Sequence, residues 1–193
     1  MKLFSDIKEL LIIIDMNNGF AHEGIMATPY MEALIPKIAD FAKIFDDAQD
    51  KDVMIFNEAH SESSQEFVTF PVHCVKGTLE AQIVAELQWI SQRCFVLEKN
   101  ATFAYFSDDA VEFFRRIDKM ANLEKVYISG GVTDICVLEA AIPLKKYFDQ
   151  KDRTVEVVVR RDLVDTYDAP THDRAEYNEI AFKLMKQAGI NVK

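Results

Sequence analysis

The feature that most limits what this chain can fold into is a repeated change of hydrophobic period. Short apolar runs rich in β-branched residues recur at 10–15, 53–57, 94–99, 126–129 and 155–159. The first reads Leu10-Leu11-Ile12-Ile13-Ile14 and ends in Asp15. The first and fourth runs lack alternation, as expected of strands covered on both faces. Between the runs the period lengthens to that of a helix. Residues 31–49 carry Leu34, Ile35, Ile38, Phe41, Ala42, Phe45 and Ala48 on one stripe. Helices are also expected at 79–90, 107–120, 133–148 and 171–187. Ser107-Asp108-Asp109 serves as a start signal, and Gly189 as a stop after the last helix. Strand and helix in alternation predict an α/β fold with right-handed crossovers. The expected form is a three-layer α/β/α sandwich around a central, mainly parallel sheet, with residues 1–193 as one domain.

Composition narrows the function classes. The 22 basic and 32 acidic residues leave a net charge of −10. An acidic surface argues against nucleic acid or an anionic membrane as the main partner. No apolar run approaches the ~18 residues that span a bilayer. The cysteines are three, Cys74, Cys94 and Cys136, and no signal-like leader opens the chain. Reduced thiols and a cytoplasmic protein are the expectation.

Two stretches, 17–29 and 58–78, carry no clear period, and long loops in compact domains are often functional. Asp15, Lys99 and Cys136 stand at or just beyond the ends of three expected strands. Parallel strands deliver such residues to one edge of the sheet, where open α/β sheets bind ligands. Cys136 follows Gly130-Gly131 at the strand-to-helix turn. A helix N-terminus there would lower the thiol pKa. With a carboxylate to take the proton and a lysine beside it, the three would form a nucleophilic centre. The alternatives are a small buried hydrophobe for Cys136 and a strand-end ion pair or solvated turn for Asp15 and Lys99. The long loop holds Glu58, His60, Glu66 and His73, a donor set that suits Zn²⁺, Fe²⁺ or Mn²⁺. Ordinary loop histidines are the competing reading. Cys74 and Cys94 are expected to be buried. His22 and His172, with no evident partners, are expected at the surface.

Five pieces in order resemble the isochorismatase-like cysteine hydrolases, a Rossmann-like superfamily, and most closely its nicotinamidase (pyrazinamidase) branch. They are Ile13-Ile14-Asp15-Met16-Asn17-Asn18-Gly19-Phe20, then Glu58-Ala59-His60, then Phe70-Pro71-Val72-His73-Cys74-Val75-Lys76-Gly77-Thr78, then Lys99, and last Gly130-Gly131-Val132-Thr133-Asp134-Ile135-Cys136-Val137. The resemblance implies a Cys136 nucleophile, an Asp15 general base and Lys99 as third member, forming a thioester with an amide substrate and releasing ammonia. It implies a cis peptide between Gly131 and Val132, and an oxyanion hole from the Val132 and Cys136 N–H groups. It implies one divalent metal on Glu58, His60 and His73, with Glu66 as an extra carboxylate, orienting the pyridine ring of nicotinamide between Phe20 and Phe70. A place in NAD salvage follows, with a small-molecule amide as partner and a homo-oligomer left open. Three departures stand out: Glu58 where most nicotinamidases carry Asp, Thr102 where an aromatic is usual, and Gly131 where a branched apolar residue is usual. They keep open another small amide, such as an N-carbamoyl compound or ureide, or a non-catalytic binding protein on the same scaffold.

Overall fold

A computed structural model describes residues 3–193. Six parallel strands form one sheet: β1 (Glu9–Ile14), β2 (Lys51–Glu58), β3 (Phe95–Lys99), β4 (Lys125–Gly131), β5 (Glu156–Asp165) and β6 (Asn191–Val192), in the order β3-β2-β1-β4-β5-β6. The four longer helices are α1 (Ile35–Asp47), α2 (Ala110–Lys119), α3 (Leu138–Gln150) and α4 (Arg174–Gln187).

The unalternating apolar run of β1 is explained by its two faces. Leu10, Ile12 and Ile14 enter one core with Phe113 and Ile117 of α2, Leu144 and Phe148 of α3, and Phe182 and Met185 of α4. Leu11 and Ile13 enter the other with Ile38, Ala42 and Phe45 of α1 and with Leu87 and Ile90. Side chains alternate across a strand, so a strand sandwiched between helical layers must be apolar at every position. The three-layer α/β/α expectation is met.

Several boundaries differ from the pattern-based reading. No long helix forms at 79–90. Only a 3₁₀ turn at Ala85–Leu87 and the short helix Gln88–Ser91 appear. The backbone oxygens that would propagate a helix are taken elsewhere. Leu79 O accepts from Asn18 Nδ2 and Glu80 O from Gly19 N. Ala81 O accepts from Asn57 Nδ2 and Gln82 O from Asn18 N. Tertiary pairing thus overrides the local period. The expected 31–49 helix splits into a capped turn, Pro29–Glu32, and α1. The 133–148 helix opens with a π-turn at Thr133–Val137 before α3 begins. β5 runs on past Val159 through Arg160, Arg161 and Asp162, which fall in a bulge where the register with β4 jumps from Val159 to Val164. The two-residue β6 carried no readable period.

The strand order places the site. The chain works outward from β1 to β3 on one side and from β4 to β6 on the other. The crevice beyond the ends of β1 and β4 is therefore the switch point at which α/β sheets bind ligands. Gly130 is required there. It pairs with Ile14 at a φ of +106°, and a Cβ would lie 2.0 Å from Ile14 O. Among the described residues no helix is long and apolar enough to cross a membrane.

Candidate active site

The carboxyl ends of β1, β2 and β3 deliver Asp15, Glu58 and Lys99 side by side, all buried. Asp15 turns the chain out of β1 in the left-handed region, at a φ of +50°, a conformation that Asp tolerates better than most side chains. Lys99 Nζ stands 2.9 Å from Asp15 Oδ2, 3.1 Å from Glu58 Oε1 and 3.7 Å from Cys136 Sγ. One buried ammonium thus joins two carboxylates to the thiol. Cys136 reaches this point from β4 through the Gly131–Val132 peptide, which is cis, and the π-turn. Ile135 and Val137, which flank it, both donate to Val132 O, at 3.2 and 3.1 Å.

These contacts set the proton inventory. Burial pushes the Asp15 carboxyl up to about 6, against the pull of Lys99 and with Glu58 adding repulsion. Burial would also raise Glu58, but Lys99 and the two imidazoles hold it well below the usual carboxylate range. Burial opposes the charge of Lys99, yet Asp15, Cys136 and Glu58 keep it firmly protonated. The Cys136 thiol is pushed well up by burial, with Lys99 opposing and Asp15 and Glu58 reinforcing. The expected helix-terminus activation of the thiol is thereby corrected. Desolvation and two nearby carboxylates push the thiol up, which favours a neutral thiol facing Asp15.

Beside this centre lie Glu58, His60 and His73, whose donor atoms all fall within 4.8 Å of one another. Glu58 Oε1 is 3.2 Å from His60 Nε2, and Glu58 Oε2 is 3.6 Å from His73 Nε2. The other ring nitrogens are occupied: His60 Nδ1 lies 3.0 Å from Asn100 O and His73 Nδ1 2.7 Å from Pro71 O. Backbone carbonyls on Nδ1 fix the tautomer that leaves Nε2 as the ligating atom. His60 Nε2 is buried and has no hydrogen-bond partner. One carboxylate and two imidazoles, all buried and facing inward, fit a divalent cation. Glu66 does not join this trio and accepts from Thr102 N at 3.3 Å.

A cavity of about 430 Å³ opens onto both groups, with Cys136, Glu58 and His73 in its walls beside Phe20, Phe70 and Val132. The Phe20 ring is 5.5 Å and the Phe70 ring 6.5 Å from the His73 ring. Thr102, Met31 and Tyr167 complete the surround. Asp15 and Lys99 lie beneath it, with no share in the lining.

Sequence reasoning missed several supports. Asn100 adjoins Lys99 and holds both His60, through its carbonyl, and Ser61 N, through Oδ1 at 2.7 Å. Buried Ser64, four residues after His60, shares the Asn100 carbonyl at 3.2 Å. Phe67 packs 5.2 Å from the His60 ring. The surface expectation for His172 is wrong. It is buried, stacked between Tyr167 at 3.8 Å and Tyr177 at 3.7 Å, with Nε2 2.8 Å from Asp134. It thereby ties the cavity wall at Tyr167 to the turn that carries Cys136. Its flanking tyrosines were the available signal. His22 is exposed, near Glu32 and Glu86. Cys74 is buried, whereas Cys94 is only partly so.

The Isochorismatase domain family matches residues 9–192, and the chain belongs to that family. The curated proteins it resembles include nicotinamidases. Nicotinamidase 1 of Arabidopsis thaliana is 26% identical over 174 residues, covering 84% of this chain and 71% of the relative. The nicotinamidase of Saccharomyces cerevisiae is 25% identical over 222 residues, covering 94% and 97%. Three solved structures share the fold. The pyrazinamidase/nicotinamidase of Streptococcus mutans has a TM-score of 0.78 at 22% identity, covering 96% of this chain and 100% of that one. The zinc complex of Pyrococcus horikoshii pyrazinamidase has a TM-score of 0.74 at 24% identity, covering 96% and 98%. N-carbamoylsarcosine amidase of Thermoplasma acidophilum has a TM-score of 0.76 at 22% identity, covering 97% and 96%.

Proposed function

We propose that this amidohydrolase deamidates nicotinamide to nicotinate and ammonia through a Cys136 thioester. The observation that carries the reading is the single chain of contacts Asp15–Lys99–Cys136 under a cavity whose adjoining wall bears Glu58 and His73. Cys136 Sγ attacks the amide carbonyl as Asp15 accepts the thiol proton. The Val132 and Cys136 N–H groups receive the developing oxyanion. The C–N bond then breaks, and Asp15 returns the proton to the departing ammonia. Asp15 next takes a proton from water, which attacks the thioester carbonyl. The C–S bond breaks, carboxylate is released and Sγ is reprotonated. Lys99 keeps Asp15 ionised between these transfers.

Glu58, His60 and His73 would hold a divalent metal, with zinc favoured by the donor set and iron or manganese compatible with it. When bound, the ion supplies a Lewis-acid anchor for the pyridine nitrogen. Phe20 and Phe70 flank the ring, and Glu66 acts by holding the loop at Thr102. Among family relatives the nicotinamidases support this substrate.

A second reading, hydrolysis of an N-carbamoyl compound or ureide, is favoured by Thr102, which puts a small polar side chain at the cavity wall where an aromatic is usual in nicotinamidases. The deciding measurement is ammonia release from nicotinamide by the purified protein, as isolated, after chelation and after metal add-back. Turnover that is lost and regained with metal is expected. No turnover in any metal state would remove nicotinamide and turn the search to a panel of small amides. A chain inert toward the whole panel, with an unreactive Cys136, would be the non-catalytic binding protein.

A further inference from the structure

Gly131 and Met31 meet beside the nucleophile in a way the motifs do not explain. A Cβ built on Gly131 would stand 2.3 Å from both Sδ and Cε of Met31, while its next neighbour, Asp165 O, is 3.4 Å away. The thioether tip of Met31 therefore occupies the volume that a side chain at 131 would claim. Met31 is almost wholly buried and lines the same cavity as Cys136. Its position is built locally. Thr28 Oγ1 caps the Pro29–Glu32 turn by accepting from Met31 N at 3.2 Å, Pro29 opens that turn, and Thr28 N is tied to Phe20 O at 3.0 Å. The turn's hold on Phe20 couples Met31 to the aromatic wall. The backbone on the other side is fixed by β4, whose Gly131 pairs with Asp165 of β5.

From this contact we propose that Met31 and Gly131 are a specificity-determining pair, setting how large an acyl group fits beside Cys136. The inference rests on the amidase reading of this cavity and deepens it. With Gly131 lacking a side chain, the limit on the acyl group is set by an unbranched, flexible thioether, which fills irregular space and can be repositioned. The substrate class follows. The acyl part is a single flat ring flanked by Phe20 and Phe70 with Met31 closing the space beside Gly131, and bulkier ring-substituted aromatic amides are excluded by the methionine tip.

The test compares four proteins: wild type, Met31→Ala, Gly131→Ala and the double variant. Kinetics are measured on nicotinamide and on a ring-substituted nicotinamide. Met31→Ala should raise kcat/KM for the bulkier amide relative to nicotinamide by about tenfold or more, the discrimination typical of a filled hydrophobic pocket. Gly131→Ala alone should lower kcat/KM for nicotinamide, because its methyl drives the Met31 tip into the cavity. Adding Met31→Ala should restore most of that loss, a strong departure from additivity. Additive effects, or an unchanged size preference in Met31→Ala, would overturn the proposal. Should the wild type turn over no nicotinamide, the substrate reading fails on its own. The pair is then judged by alkylation of Cys136, located by peptide mass, with iodoacetamide and a bulkier N-aryl iodoacetamide. Met31→Ala must then favour the bulkier reagent by about tenfold, and a ratio equal to wild type rejects the pair.

Discussion

The two ends of the sheet carry similar charges in opposite surroundings. At the amino ends of the strands, Glu9 is paired in register with Lys51 and Lys125, and Lys125 with Glu156. These side chains form a solvent-reaching ladder in which Lys51 and Lys125 reach Glu9, and Lys125 also reaches Glu156. At the carboxyl ends, Asp15, Glu58 and Lys99 form a comparable row, but each side chain is at most 2% exposed. In water such pairs are screened and contribute little. In the interior, the attraction must offset the loss of hydration, and removing one member strands the others. The same chemistry therefore tidies one end and sets proton affinities at the other.

Substitutions at the buried end should act most strongly. Cys136→Ala should lower amide turnover by about 10⁴-fold or more while leaving substrate affinity, read by calorimetry, near wild type. Retained turnover would place the nucleophile elsewhere. Lys99→Met should also abolish turnover and cost about 3–5 kcal/mol of stability, because two carboxylates are left buried without a cation. Urea unfolding of the purified variant measures this, and a loss below about 1 kcal/mol would mean the row is solvated as the half-buried ladder is. The pH profile tests the same row more gently. Asp15 must be ionised to accept the thiol proton, and its carboxyl titrates near 6. Activity should thus be present above that pH and fall about tenfold per unit below it. An acid limb near pH 4 would show that Asp15 is not the base. The smallest effect belongs to the half-buried amino end. Glu9→Gln should change stability by less than about 1 kcal/mol, with the difference vanishing in 1 M salt.

How much of this was readable in the chain follows the same division. The strands announced themselves because burial on both faces leaves no choice of residue, and Asp15, Lys99 and Cys136 were visible as polar groups interrupting those runs. The metal-type trio was legible through Glu58-x-His60 and the stretch around His73. Glu66 was read as an extra carboxylate from the loop's donor set and the family resemblance, neither of which shows that Thr102 N engages its carboxylate. The false helix at 79–90 has a similar cause. Its apolar period is real, and Leu87 and Ile90 are indeed buried, but no local pattern reveals that Asn18, Gly19 and Asn57 take its carbonyls. His172 was misplaced because its hydrogen-bond partner, Asp134, lies 38 residues away and the stacking tyrosines five residues to either side went unread.

The strand order also has a consequence for a chain made from its amino end. The sheet's order β3-β2-β1-β4-β5-β6 makes the first three strands one contiguous half. A nascent chain that has released only these strands already holds Asp15, Glu58 and Lys99, but β1 has its β4 side uncovered. Cys136 arrives with the second half, which closes over that open flank. During synthesis, the residues of the proton-handling row emerge before the sulfur they serve, and their burial waits for the strand that brings it.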